Sequence, residues 1–560
     1  MDIVGIIQKE IEERLKEAVL KAKDEGDLNF EELPFFIVEV PKEKGHGDFA
    51  SNLAIILASQ TKKPPREIGE IIIKHLDTSN TWIKDVEIAG PGFINFTLMR
   101  EWLYQVLEVV ERGDKKYGRS NVGNGKKVQV EFVSANPTGL LHMGNARGAA
   151  IGDTIANVLE AAGWKVTREF YINDAGNQIE NFAKSLEARY LQLLGKEAEV
   201  PEDGYHGEDL IETMRNFIEL EGDKYLEADP EVRREALTEY ALKEKLKSIK
   251  ESLERFGVAF DVWFSEHTLH ESGAVNEVIE ELRKRGYVYE KDGALWFKST
   301  LFGDKKDEVL VRKNGMPTYF AADIAYHKNK FDRGFDRVIN IWGADHHGHV
   351  VRMKGAMEAL GYDKDKLDII IMQLVRLFKD GEILRMSKRT GQYITLDELI
   401  DEVGKDAARF FFVMRAADSH LDFDLDLAKK ESSENPVYYV QYAHARIISI
   451  LRQAVEKGVE IPRAYKTDLT VLDSEVELEL IRKLAEFPGL VKACAETLEP
   501  HRLPHYAIEL AGMFHSFYTE CRVLGEDEGK QAARLVLVNA TRIVLRNVLN
   551  LLGVTAPERM

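Results

Sequence analysis

The chain has 560 residues, 44% of them hydrophobic and 31% charged, which is the make-up of a water-soluble protein long enough for three or four domains. Its net charge of −19 excludes nucleic-acid binding through bulk positive charge, while a local basic groove on an acidic body stays open. Two cysteines, Cys494 and Cys521, exclude a disulfide framework or a cysteine-ligated zinc site and point to a reducing compartment.

The start of the chain lacks a basic region followed by an apolar stretch, so no signal peptide is expected. No apolar run approaches the about 18 residues that a membrane span needs. Residues 1–25 alternate apolar and charged positions at helical spacing. A strand is expected over 35–41, then a loop through Gly45, His46, Gly47 and Asp48, a helix over 49–60 and a strand over 86–96, together a small α+β unit. The glycine-bearing polar stretch 113–127 reads as a linker.

From Val128 short apolar strands alternate with longer helices, which argues for a parallel sheet. A strand over 128–134, a helix over 144–162 and a strand over 165–172 form one such unit. Residues 175–256 are helical and strongly charged, as in an insertion between two halves of the sheet. The second half carries a strand over 337–342, a helix to Leu360 and a strand over 368–378, closed by a hairpin turn at Asp380-Gly381. After about residue 405 strand signals stop. Residues 431–560 read as long amphipathic helices punctuated by Pro462, Pro488 and Pro504.

Two segments carry chemistry. Pro137-Thr138-Gly139-Leu140-Leu141-His142-Met143-Gly144-Asn145 leaves a strand through a turn and opens a helix. Exposed amides at a helix start attract phosphate, as hydrogen-bond donors and as the positive end of the helix dipole. Gly144 lets a nucleotide approach the backbone, and His142 and Asn145 add donors. Far downstream, Arg385-Met386-Ser387-Lys388 follows a strand and is rich in cations, suited to the charge that builds on a leaving pyrophosphate. No G-x-x-x-x-G-K-[ST] motif occurs, which disfavours a P-loop nucleotidase.

The first segment resembles the HIGH signature of the class I aminoacyl-tRNA synthetases, and its context S-A-N-P-T-G-x-x-H-x-G-x-x-R-G resembles the arginyl branch. Here it reads HMGN, with Asn145 in place of a histidine. The second segment resembles the KMSKS loop, with Lys388 at the second lysine and Arg385 at the first. The resemblance implies a Rossmann-like parallel-sheet catalytic core with a helical insertion, flanked by a small α+β N-terminal domain and an all-α C-terminal anticodon-binding domain. The boundaries are 1–115 for a tRNA-contacting domain, 116–430 for the catalytic domain with its mostly helical insertion at about 175–300, and 431–560 for the anticodon-binding domain.

By the same resemblance His142, Gly144, Asn145, Arg385, Ser387 and Lys388 are catalytic. ATP, entering with Mg²⁺ and with no tightly bound cofactor, would meet His142, Asn145, Gly343, Asp345, His346, Met386 and Lys388. A guanidinium substrate calls for fixed carboxylates. Tyr319 and Asp323 lie one helical turn apart, so they share a face. In the resemblance Glu131, Tyr319 and Asp323 surround the guanidinium, Ser134 and Asn136 lie nearer the α-amino group, and His346 contributes. The cluster Asp345, His346, His347 and His349 invites a metal, but its position after a strand suits ligand binding at an open sheet edge, and no metal is expected. Asn52 in the first domain, and Tyr438, Tyr442 and Arg446 on one predicted helix, are candidates for tRNA contact.

The expected activity is therefore ligation of L-arginine to tRNA(Arg) at the cost of ATP, by a cytoplasmic monomer. The alternatives are a cysteinyl or other class I enzyme, a small-molecule adenylyltransferase, or a non-catalytic tRNA-binding paralogue.

Overall fold

A computed structural model describes residues 2–41, 45–384 and 394–560. Its centre is a five-stranded, all-parallel sheet built from Lys127–Glu131, Lys165–Ile172, Val262–Ser265, Arg337–Gly343 and Leu367–Met372. In spatial order the strands run 367–372, 337–343, 127–131, 165–172, 262–265. The first strand in the chain therefore lies between the second and the fourth. The connections leave that point in opposite directions, and open α/β sheets bind ligands beyond the carboxyl ends of such neighbours. The strand at this switch point is Val128, Gln129, Val130 and Glu131, all buried, as a central parallel strand must be.

Helix Met143–Ala161 crosses from the first strand to the second. It packs so closely on the sheet that a Cβ at Gly152 would stand 2.2 Å from the ring of fully buried Phe132. The helical insertion comprises Asn177–Leu193, Glu208–Glu221 and Pro230–Arg255, which share a small core of their own around Phe182, Tyr190 and Phe217. Two further helices, His267–Glu271 and Ala274–Lys284, follow within the expected stretch 175–300. Residues 262–265 join the central sheet as its edge, and 288–291, 294–297 and 308–311 form a separate antiparallel sheet. These strands are four residues long, too short for alternation to register as a pattern.

The N-terminal unit is a four-stranded antiparallel sheet against helices Ile3–Asp24, Leu53–Thr61 and Pro65–His75. Two expectations are corrected here. The stretch 49–60 opens as a strand, Phe49–Ser51, before its helix. The strand expected over 86–96 is a hairpin, Ile83–Ala89 and Phe93–Leu98, turned at Gly90 and Gly92 with positive φ. The expected linker is anchored: Tyr117 is buried and donates to Leu484 O at 2.8 Å, and Asn547 donates to Asp114 O at 2.7 Å.

The strand expected over 368–378 divides, 367–372 staying in the central sheet and Val375–Lys379 pairing with Glu382–Leu384 and, in parallel, with Leu421–Asp424. A strand thus occurs after residue 405, contrary to expectation. Asp380 and Gly381 both have positive φ, as the two-residue hairpin predicted from their sequence requires. Helices Pro436–Glu456, Glu475–Thr497, Arg502–Glu520 and Glu528–Leu551 complete the chain. Pro488 does not end a helix; it lies inside Glu475–Thr497, buried. Among the described residues no helix is long and apolar enough to cross a membrane.

Candidate active site

The first strand ends abruptly. Val133 and Ser134 both take positive φ (+68° and +41°), and Ser134 N donates to Phe132 O at 2.9 Å, closing a three-residue turn. Such backbone costs about 1–3 kcal/mol per residue and persists only where side chains fix it. They do so here: Ser134 Oγ donates to Glu131 Oε1 at 2.8 Å and accepts from Tyr171 N at 3.2 Å. The strained turn throws the chain over the carboxyl edge of the sheet, where Asn136 donates to Gln178 Oε1 at 2.5 Å.

The chain returns to the sheet edge at His142 and starts the 143–161 helix with a reciprocal cap. His142 Nδ1 accepts from Gly144 N at 3.1 Å, and Asn145 Oδ1 accepts from His142 N at 3.1 Å. These bonds set both side chains: a neutral His142 carries its proton on Nε2, and Asn145 keeps its NH₂ as the outward donor. A Cβ at Gly144 would lie 3.0 Å from the His142 ring, so a side chain there crowds the cap.

Arg385, Met386, Ser387 and Lys388 lie outside the described residues, but both flanks of their segment are described. Upstream, the hairpin strand ends at Leu384. Downstream, Thr395 forms an antiparallel bridge with His142, and Leu396 N donates to Leu141 O at 2.8 Å. The first motif is therefore joined by backbone hydrogen bonds to the residues that follow this segment. Helix Leu396–Val403 then begins with its own cap, Thr395 with Glu398.

Around the carboxyl ends of the sheet strands the carboxylates collect. Helix Tyr319–Asp332 begins with Tyr319, 39% exposed, and carries Asp323 one turn later, which meets His349 Nε2 at 3.1 Å. Glu266, directly after the edge strand, was missed in the sequence. It is only 3% exposed and its nearest cationic neighbour is His270 at 3.4 Å. Burial, with the negative charge of Asp323, pushes its carboxyl above the usual range. Burial and the charges of Glu266, Asp323 and Glu131 likewise drive the Tyr171 hydroxyl upward. Glu131 differs from these acids: its Oε2 takes a hydrogen bond from fully buried Lys330 at 2.5 Å, so it already has its counter-charge. The site as folded thus gathers acidic groups, buried Glu266 and half-buried Asp323, whose neighbours are histidines rather than lysine or arginine.

Gly343 ends its strand on the other side of the switch point, and Asp345 and His346 follow in a short turn with their side chains exposed. Within the 345–349 cluster His349 turns inward to Asp323, whereas His346 pairs with Asp345 at 3.6 Å. Among the described residues this cluster does not bring ligand atoms together around one point.

Three family models match the chain: "Arginyl tRNA synthetase N terminal domain" over residues 6–98, "tRNA synthetases class I (R), catalytic domain" over 105–416, and "DALR anticodon binding domain" over 440–560. An arginine–tRNA ligase of Moorella thermoacetica is 63% identical across the whole of both chains, and one of Heliobacterium modesticaldum is 64% identical, again across both. The chain belongs to the arginyl-tRNA synthetases. The solved arginyl-tRNA synthetase of Thermus thermophilus shares the fold, with a TM-score of 0.76 at 23% identity over 99% of this chain and 100% of that one.

The residues singled out for RNA divide. On the arginyl-tRNA synthetase N-terminal domain, Asn52 spends its Oδ1 on Ile37 N at 3.0 Å, pinning the short edge strand. On the anticodon-binding domain, Tyr438 and Tyr442 stand parallel (6.3 Å between centroids, 7° apart), and Arg446 lies over both Tyr442 and Tyr518 at 5.1 and 5.3 Å. Tyr442 and Tyr518 are 38% and 37% exposed, so the ladder faces outward. Tyr518 comes from the next-but-one helix, and its membership was invisible in a reading of one helix at a time.

Proposed function

We propose that the chain activates L-arginine with ATP and passes the arginyl group to the terminal ribose of tRNA(Arg). The arginine carboxylate attacks the α-phosphorus of ATP, the bond to the bridging oxygen of the β-phosphate breaks, and pyrophosphate leaves. The ribose hydroxyl then displaces AMP from the mixed anhydride. Neither step needs a covalent nucleophile from the protein, so positioning and preorganised donors suffice. ATP enters as its Mg²⁺ complex.

The observation that supports this reading is the backbone pairing of His142 with Thr395, which brings the residues after the cationic segment to the capped helix start. His142 Nε2–H, the Asn145 amide and the amides of the first turn face the phosphates, and Arg385, Ser387, Met386 and Lys388 close over them. Gly343, Asp345 and His346 border the adenosine on the far side of the switch point. Glu266 and Asp323, with the Tyr319 hydroxyl, receive the guanidinium, whose charge relieves their mutual repulsion. Glu131, held by Lys330, serves with Ser134 and Asn136 at the α-amino group. The tyrosine–arginine ladder stacks anticodon bases, worth about 1–3 kcal/mol each. Two buried free thiols, Cys494 and Cys521, suit work in a reducing cytoplasm, and the chain acts as a monomer.

The test is charging of tRNA with labelled amino acids, comparing the parent chain with Asp323→Asn. The expected result is charging by arginine alone, with the variant's KM for arginine raised and its KM for ATP unmoved. Charging by another amino acid, or an arginine KM indifferent to Asp323, overturns the reading.

A further inference from the structure

Helix 319–332 presents an unusual face to the sheet. Asp323, Tyr326, His327, Lys330 and Arg333 follow at spacings of three and four, and each turns toward the core or its edge. Such a polar stripe ordinarily faces water. Here Tyr326, His327 and Lys330 are 2%, 2% and 0% exposed. Glu169 on the second strand is fully buried and accounts for two of the five, accepting from Tyr326 Oη at 2.6 Å and from both terminal nitrogens of Arg333 at 2.6 and 2.9 Å.

The other three form a chain with one direction. Lys330 Nζ donates to Glu131 Oε2 at 2.5 Å and to Asn340 Oδ1 at 2.7 Å. Asn340 Nδ2 lies 2.6 Å from His327 Nε2, and His327 Nδ1 lies 2.7 Å from the backbone oxygen of Asp323. An ammonium can only donate and a carbonyl oxygen can only accept. The two ends therefore dictate the middle: the Asn340 amide points its oxygen at Lys330, and His327 carries its proton on Nδ1. Burial, reinforced by the Lys330 charge, drives the His327 imidazole far below its ordinary range, consistent with a neutral ring. The side of the ammonium is covered by the Tyr326 ring at 4.3 Å.

A buried charge is costly unless paired and hydrogen-bonded, and replacement by apolar residues is often at least as stable. Stability alone therefore gives little reason for a lysine here. What the lysine does accomplish is geometric. It fixes Oε2 of Glu131, leaving Oε1 with Ser134, and through Asn340 and His327 it braces the backbone at Asp323.

We propose that Lys330 is a positioning residue for the amino-acid site, acting through Glu131 on one side and through the Asn340–His327 relay to Asp323 on the other. It touches no substrate. The proposal rests on the arginine reading above and deepens it, because it links the two acidic groups that meet opposite ends of the same substrate.

The test compares Lys330→Met, Asn340→Leu and the charge-neutral double variant Glu131→Gln/Lys330→Met with the parent chain. The measurements are the separate KM values for arginine and ATP, kcat for tRNA charging, and thermal unfolding. Lys330→Met should raise the arginine KM roughly tenfold to a hundredfold, as misplacement of positioned groups does, with the ATP KM unchanged. Asn340→Leu leaves the ion pair whole and should still raise the arginine KM. The double variant removes the uncompensated charge together with Glu131 itself, so it reports stability and should unfold near the parent temperature, while Asn340→Leu covers the case in which Lys330→Met fails to fold. A parental arginine KM in Asn340→Leu, or equal changes in both KM values, overturns the proposal. A parent chain that does not charge arginine at all would instead overturn the underlying reading.

Discussion

Replacing Glu266 by Gln should move stability and substrate affinity in opposite directions. The side chain is 3% exposed, lies near Asp323, and among the described residues has only His270 at 3.4 Å as a cationic neighbour. Without substrate its charge is a burden, because burial and Asp323 both raise its pKa. Between the unfolded carboxylate range and that raised value, the folded chain binds a proton that the unfolded chain does not. Stability from this group is therefore present at low pH and lost as pH rises through its folded pKa. The Gln variant removes that loss and should unfold at an equal or higher temperature near neutral pH. With arginine bound the balance reverses. A hydrogen bond to a charged group contributes about 1.5–3 kcal/mol, and at about 1.4 kcal/mol per tenfold the variant's arginine KM should rise roughly tenfold to a hundredfold. For the parent chain, arginine affinity should increase with pH as Glu266 ionises; in the variant that dependence should flatten. The assays are tRNA charging across pH and a thermal scan at neutral pH. A variant that unfolds earlier and keeps the parental arginine KM would refute the reasoning, since Glu266 would then be a structural acid.

Other outcomes follow from the same geometry. Lys388→Ala should lower kcat by roughly a hundredfold to a thousandfold with an unchanged thermal transition, as loss of one preorganised donor does; steady-state charging and a melt check it. Gly152→Ala sets a methyl 2.2 Å from the Phe132 ring, and should cost about 1–3 kcal/mol of overpacking, read as an earlier thermal transition. Arg409 is fully buried, bonding Asp153 at 2.5 Å and Leu552 O at 2.9 Å, so Arg409→Met leaves Asp153 with Arg168 at 3.4 Å and deprives Leu552 O of its donor between the catalytic helix and the C-terminal helices. It should cost about 1–3 kcal/mol, measured by urea unfolding. Tyr442→Ala should raise the KM for tRNA and leave that for arginine unmoved, because the ladder lies on the anticodon-binding domain.

The parts legible in the sequence are those made by neighbours. The strand–turn–helix around His142, the Asp380-Gly381 hairpin, and the Tyr319/Asp323 pair each depend on residues within a few positions, and the structure has each where it was expected. Glu266 was missed because nothing local distinguishes it from any acid after a short strand. Its meaning appears only when Asp323, far along the chain, comes beside it. Glu131 and Lys330 illustrate the same limit from the other side. A lysine seven residues after Asp323 looks like a solvated helix position, and only the fold shows that it is buried against the strand. The short strands 49–51 and 421–424 escaped notice because three or four residues cannot establish alternation, and they exist through pairing with partners already in place.

The central claim is that Glu266 and Asp323, acids without a lysine or arginine partner among the described residues, select a guanidinium. Citrulline tests it most directly, because it keeps the shape of arginine and replaces the cation with a neutral urea group. Arginine should charge the tRNA at least roughly a hundredfold more efficiently, the scale of a buried charge left without its partner. Comparable charging by citrulline, or charging by another amino acid with none by arginine, would contradict it.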